Sequence, residues 1–180
     1  MSISGARTGA GASARAAGVR ATTQSVAGVA GGERALVAKK IVKSYDPQTN
    51  PHGLKTITFE GTYKDGKPEG QGESLFILDH NKHPKGLKTR TYKGIFKNGK
   101  PEGKGEGVLT FDHNKHSQGL KTKSYKGTYK NGGLEGQGKM VQTYDPQTNP
   151  HGLKTITFEG TYKNGGLEGQ GKEVLTYDHN

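Results

Sequence analysis

The amino-acid sequence predicts an all-β repeat protein, a row of β-hairpins recurring every 33 residues. Three observations support this. Asp46, Asp79, Asp112, Asp145 and Asp178 are evenly spaced, and so are Gly53, Gly86, Gly119 and Gly152, each followed by Leu-Lys-Thr. Within a period, residues alternate with the two-residue rhythm of a strand. Twelve of the thirteen Phe and Tyr residues fall on three recurrent positions, with only Phe76 outside them. Such a period is the mark of duplication, and the run from Tyr45 to Lys64 returns unchanged from Tyr144 to Lys163.

The chain begins differently. Residues 1–32 are mainly Ala, Gly, Ser, Thr and Arg, with no aromatic and no acidic residue. They bury too little apolar area to offset their ordering entropy, so residues 1–38 are expected to form a disordered basic head. Arg7, Arg15 and Arg20 among Ser and Ala suit a plain flexible tail, an organelle transit peptide or a bacterial type III secretion leader. Residues 39–180 form the array. A half repeat, one strand at about 39–45, precedes hairpins expected at about 56–79, 89–112, 122–145 and 155–178, giving nine strands.

One hairpin illustrates the pattern. Tyr92, Gly94 and Phe96 share a strand face, and Lys93, Ile95 and Lys97 share the other. Asn98-Gly99 supplies the two positive φ angles of a tight turn. After Lys-Pro-Glu-Gly a second strand runs from about Gly105 to Asp112, and a polar connection, His113 to Gly119, leads to the next copy. Stacked hairpins would align the aromatics in ladders: Phe59, Tyr92, Tyr125, Phe158, then Tyr63, Phe96, Tyr129, Tyr162, then Tyr45, Phe111, Tyr144, Tyr177. Gly61, Gly94, Gly127 and Gly160 would leave room for the rings. An aliphatic row, Val42, Leu75, Val108, Val141 and Val174, lies on the strand face opposite the terminal aromatics.

Composition narrows the function. At 28% hydrophobic residues the chain is too poor in apolar side chains for a large two-layer core. Without cysteine there is no disulfide frame, thiolate metal site or cysteine nucleophile. No apolar run reaches the ~18 residues of a membrane span, so the chain reads as soluble, cytoplasmic or peripheral to a membrane. Of the net charge of +11, +5 falls on residues 1–40 and +6 on the rest, which makes the head the more basic part per residue.

The spacing of Tyr92, Gly94, Phe96, Asn98, Gly99, Gly103 and Gly105 resembles the MORN repeat, the membrane occupation and recognition nexus. So does that of Tyr125, Gly127, Tyr129, Asn131, Gly132, Gly136 and Gly138. The resemblance covers four copies across about residues 59–178, with a connection such as Asp46 to Gly53 longer than the usual repeat of about 23 residues allows. It implies an elongated single-layer antiparallel sheet of stacked hairpins. It also implies a scaffold that docks partner helices in an aromatic groove, self-associates or meets membranes, with no catalysis and no cofactor.

Catalytic and metal readings fare worse. Gly133 to Lys139 and Gly166 to Lys172 match P-loop spacing as far as the lysine, but Met140 and Glu173 follow where Ser or Thr should hold magnesium, and a strand follows where a helix should start. Asp79-His80-Asn-Lys-His83 and Asp112-His113-Asn-Lys-His116 each cluster three metal-ligand types, yet a loop on one sheet edge lacks the second group a catalytic pocket needs. The favoured reading is a scaffold taking a protein partner or another copy of itself on Phe59, Tyr63, Tyr92, Phe96, Tyr125, Tyr129, Phe158 and Tyr162. The alternatives are a membrane-surface module, holding anionic lipid through Lys64, Lys93, Lys97, Lys126, Lys130 and Lys163, and a secreted bacterial effector on the same repeats. Glu60 and Glu159 interrupt that lysine stripe, and nucleic acid ranks last because the ladders are spent on ring packing.

Overall fold

A computed structural model describes residues 20–25, 36–50 and 52–178. These form one antiparallel sheet in which every strand pairs with its sequence neighbours: β1 (Arg20–Ser25), β2 (Val37–Ser44), β3 (Leu54–Lys64), β4 (Lys67–Leu78), β5 (Leu87–Lys97), β6 (Lys100–Phe111), β7 (Leu120–Lys130), β8 (Gly133–Tyr144), β9 (Leu153–Lys163) and β10 (Gly166–Tyr177). Strands β2 to β10 are the expected half repeat and four hairpins, each expected boundary falling close to the observed one. There is no helix among the described residues.

Two boundaries differ for physical reasons. Six residues assigned to the disordered head form β1, which pairs with β2 from Arg20 opposite Ser44 to Ser25 opposite Lys39. An open edge on β2 presents unpaired N–H and C=O groups, and the β-branched Thr22 and Thr23 suit a strand laid against it. The rest of residues 1–35 lies outside the described residues. The second strand of each hairpin also starts at the turn, with Lys-Pro-Glu-Gly inside it in the first two hairpins and Gly-Leu-Glu-Gly in the last two. A bulge absorbs the extra residues: Tyr63 faces Pro68 and Gly61 faces Gly72, so three residues of β4 oppose one of β3, and Gly70 takes φ 82°.

The hairpin turns are as the sequence predicts. Asn98 and Gly99 have φ 50° and 82°, the left-handed pair of a type I′ turn whose twist matches the flanking strands. Each later turn also docks on the hairpin before it. The Asn98 N–H donates to Glu69 Oε2 (2.9 Å) and the Gly99 N–H to Pro68 O (2.9 Å), while Asn131 and Gly132 repeat this on Glu102 and Pro101.

The core occupies one face of the sheet. Reading across the strands, Gly61, Gly72, Gly94, Gly105, Gly127, Gly138, Gly160 and Gly171 are cross-strand neighbours, a continuous glycine row. Phe59 and Tyr92 lie on one side of it, Tyr63, Phe96, Tyr129 and Tyr162 on the other, and all six are buried. They close over the glycines. The rings zigzag from Tyr63 through Phe59, Phe96 and Tyr92 to Tyr129, with centroids 4.8–5.0 Å apart and planes crossed at 75–88°. Edge-to-face pairs of this kind contribute ~0.5–1.5 kcal/mol each beyond area burial.

The long connections form a second ladder at one edge of the sheet. Asp79, Asp112, Asp145 and Asp178 donate backbone N–H groups to the carbonyls of Gly53, Gly86, Gly119 and Gly152 at 2.6–2.8 Å, tying each connection to its predecessor. Side chains do the same: Lys82 Nζ reaches Gln48 Oε1 at 2.5 Å and Lys115 Nζ reaches Asn81 Oδ1 at 2.6 Å. Every period therefore contacts the next through turn, sheet and connection.

A methyl group on the glycine row should destabilise this core. A Cβ on Gly94 would stand 2.6 Å from Tyr92 Oη and 2.7 Å from the Lys104 carbonyl, so backbone as well as ring must shift. Gly94→Ala is expected to lower unfolding free energy by about 1–3 kcal/mol in a urea titration.

Candidate interaction face

The aromatic face is not uniform along the array, and one sequence change explains why. In the first two hairpins the turn is followed by Pro68 or Pro101, and the rings of Phe59 and Tyr92 cover the glycine pair. In the third hairpin Leu134 stands at the proline position. Its side chain reaches where a short proline ring cannot: Leu134 is 2% exposed, and a Cβ on Gly127 or Gly138 would meet its methyl carbons at 2.9 and 2.7 Å. Tyr125 is displaced from the glycines and half-buried, with Lys123 Nζ 5.3 Å from its ring centre.

That displacement leaves a groove at the seam of the second and third hairpins. Its volume is about 360 Å³, and Arg90, Tyr92, Leu109, Tyr125, Tyr129 and Leu134 line it. Arg90 is opposite both Phe76 and Leu109, and Lys123 is opposite Leu109, so two cations flank an apolar floor. Arg90 also lies 5.8 Å from the Phe76 ring centre. The sequence reading missed Arg90, Leu109, Lys123 and Leu134. The change from Lys-Pro-Glu-Gly to Gly-Leu-Glu-Gly at the turn was the available signal.

Of the eight rings proposed as anchors, Phe59, Tyr63, Tyr92, Phe96, Tyr129 and Tyr162 are buried against one another, whereas Tyr125 and Phe158 are half-exposed. Burial also shows in their acidity. Tyr63 and Tyr129 are both pushed up to about 12 by desolvation, with Tyr92 beside Tyr129 adding to the effect. Tyr129 Oη donates to the Tyr125 carbonyl at 3.2 Å.

The lysines divide into two sets. On the opposite face Lys40, Glu60, Glu73, Lys93, Glu106, Lys126, Lys139, Glu159 and Lys172 are consecutive cross-strand neighbours, five cations among four anions. Lys40 meets Glu60 at 3.1 Å and Lys139 meets Glu159 at 2.8 Å. Lys93 and Lys126 therefore flank Glu106, lining with it a shallow depression of about 540 Å³. Lys64, Lys97, Lys130 and Lys163 instead sit exposed beside the hairpin turns, along one edge.

The histidine loops serve the ladder of connections. His80 Nε2 lies 3.4 Å from Asp112 and His113 Nε2 3.2 Å from Asp145, each one period on. The Asp79 carboxyl is held below its usual range by the Asn81 N–H. At Asp112 burial works upward, but the Asn114 N–H, Lys88 and the two histidines outweigh it. Burial lowers His83 and His116, the former accepting from the Lys85 N–H on Nδ1. Among the described residues no group of three His, Asp or Glu converges to hold a metal. The P-loop-like segments are the opening residues of β8 and β10, with Gly136 and Gly169 at φ 74° in their bulges.

Two expectations follow. Leu134→Ala should cost about 2–5 kcal/mol in chemical denaturation, and Leu167→Ala, at the equivalent but 47% exposed position, less than about 1 kcal/mol. Alkali should also destabilise the fold. With Tyr63 and Tyr129 raised in the folded chain, the unfolded chain loses these protons first, so stability falls from pH 10 and levels off beyond 12. Tyr129→Phe should flatten that slope in thermal melts taken across the range.

The MORN repeat family matches residues 59–76, 92–112, 125–142 and 158–176. A search of curated proteins finds no match to the chain. The four matched segments coincide with the four hairpins, their glycine row and their ring pairs, and the chain belongs to the MORN repeat family.

Proposed function

We propose that this non-catalytic repeat scaffold takes a protein partner on its aromatic face, in the groove between the second and third hairpins. The observation that carries this reading is the half-buried Tyr125 and Leu109 beside Arg90 and Lys123. Most rings of that face are spent on one another, so they form the floor, and Tyr125 with Leu109 offers the open contact. The cross-strand row running through Lys43, Ile57, Phe76, Arg90, Leu109, Lys123, Gln142, Ile156 and Leu175 contains no acidic residue. An amphipathic helix with an apolar stripe and acidic flanks suits it.

The membrane-surface reading rests on the turn lysines. Lys64, Lys97, Lys130 and Lys163 line one edge, whereas Lys93 and Lys126 have Glu73 and Glu106 as cross-strand neighbours, which weakens their pull on anionic lipid.

A photo-crosslinker placed at Leu109 should give discrete protein adducts, and one placed at Lys97 should not. Arg90→Glu with Tyr125→Ala should cut those adducts by about tenfold, the loss typical of removing a central anchor. Phosphatidylserine vesicles at physiological salt should leave the chain unbound. Vesicle binding that Lys97→Ala with Lys130→Ala abolishes would replace the scaffold reading with the membrane one.

A further inference from the structure

The face opposite the rings carries a pattern that duplication alone does not produce. Its charged row changes from hairpin to hairpin, while the glycine row and the ring positions recur. The first hairpin sets Glu60 opposite Glu73, the second Lys93 opposite Glu106, and the third Lys126 opposite Lys139. All six side chains are exposed. Like charges directly opposite one another destabilise a strand pair. The array nevertheless holds an acidic pair and a basic pair, about 19 Å apart at the usual strand spacing and equally far from the mixed pair between them.

That order is antisymmetric about the seam of β5 and β6. A half-turn about an axis along this seam, parallel to the strands, lays the same face of a second copy over the first with the strand order reversed. Lys93 then faces Glu106 of the other copy, Glu73 faces Lys126, Glu60 faces Lys139, and Lys40 on β2 faces Glu159 on β9. Every opposition joins unlike charges, and each occurs twice. Moving the axis by one strand destroys the match. About the seam of β6 and β7, Lys93 meets Lys139 and Glu73 meets Glu159. About the seam of β4 and β5, Glu60 meets Glu106 and Lys40 meets Lys126. One register is favoured and its neighbours are penalised, which is how a specific contact excludes its alternatives.

We propose that two copies of this chain stack face to face in that register, as a symmetric dimer of sheets with the aromatic face of each turned outward. The pairing uses β2 to β9 and leaves the groove on the outer face free. Two uncharged rows beside the charges supply the apolar area. In the nearer row Leu75 falls over Ser124 of the other copy and Val108 over Thr91, and in the next Ile77 falls over Thr122. None of these side chains is buried in the single sheet, and Ile77 is 37% exposed. A second sheet stacked at ~10 Å covers them, and eight strands give a footprint of roughly 800 Å² per chain, the size of a standard stable interface. Burial of these rows drives association, and the charges select partner and register. Twisted sheets stack at about −30° and stay closest at their middle, so the oppositions of Lys93 with Glu106 and Glu73 with Lys126 weigh most. The ion pairs within the chain, Lys40 with Glu60 and Lys139 with Glu159, lie toward the ends of the row, where the two sheets diverge. Such a contact is the same surface on both copies, so it closes on itself at two.

Charge exchange tests the register. In sedimentation the full chain should form a dimer as its concentration rises, and less of it at high salt. Glu73→Lys and Lys126→Glu, each made alone, should weaken that dimer by about tenfold, because each sets like charges against one another at two symmetric contacts. Mixed in equal amounts, the two variants should associate again as a one-to-one heterodimer, and the chain carrying both substitutions should regain its own dimer. Lys93→Glu with Glu106→Lys reads the same register and replaces the first pair should either of its members fail to fold by circular dichroism. Single variants that associate as strongly as the unmodified chain would show that another surface makes the contact. A mixture of folded variants that stays monomeric, or an unmodified chain that is a monomer at every concentration, would overturn the proposal as well.

Discussion

Rings from two rows of the sheet can meet only because nothing stands between them. Tyr92 and Phe96 are separated along β5 by Gly94, and any side chain there would occupy the volume into which the Tyr92 ring folds. The same holds at Gly61, Gly72 and Gly105, where a Cβ would meet the ring of Phe59 or Tyr92. A glycine in a strand interior costs roughly 0.5–1 kcal/mol relative to alanine and supplies no side chain to pack. In the first two hairpins crossed rings from both sides fill the space above the row, and in the third Leu134 fills it. Glycine row and ring zigzag are one device, and it lets a single sheet carry a core without a second layer to cover it.

Stability in such an array is built between neighbours. The turn of each later hairpin is held by the carbonyl and carboxylate of the hairpin before, and Asp79, Asp112, Asp145 and Asp178 each hydrogen-bond to a glycine one connection back. Contacts of this kind propagate from one period to the next, so the array behaves as a one-dimensional chain of coupled units. The extra length of each connection is part of that coupling. His80 with Asp112 and His113 with Asp145 join successive connections across the sheet edge, a layer of contacts that a shorter repeat has no room to build.

Much of this could be read from residues. Equal spacing of the aspartates and glycines gave the hairpins, Asn98-Gly99 gave the turn, and the recurrence of Tyr92, Gly94 and Phe96 gave both the ladder and the space beneath it. What the spacing could not show is which neighbour a side chain meets across the sheet. The lysines at 93 and 126 look like a basic stripe in sequence, and only the strand register sets Glu106 between them. Likewise the rings look like available anchors until their packing on one another is known. Strand β1 escaped because its partner is an open edge, a tertiary opportunity that the composition of the head does not record. The groove escaped because it arises from a difference between copies, while the reading rested on what the copies share.

That difference is a single side chain with a local effect on shape. Proline at 68 and 101 suits the first residues of a strand beside a turn, has no N–H to satisfy, and is too short to reach the glycines. Leucine at 134 occupies the same register, reaches over Gly127 and Gly138, and releases Tyr125 from the place its counterpart Tyr92 fills. The backbone changes only at the bulge: Gly127 faces Gly138 as Gly94 faces Gly105, and Tyr129 faces Leu134 as Phe96 faces Pro101, while Thr128 gains Glu135 as a partner where Ile95 has none. A repeat array can thus change its surface in one period while conserving the contacts that couple periods, because the proline position lies at the end of the ring row and not within the glycine row. At Leu167 the same residue lies on β10, the last strand of the described sheet, and it is exposed where Leu134, enclosed by the β9 side, is buried. Whether this leucine belongs to the core or to the surface is decided by the neighbour it is given, and not by its own sequence context.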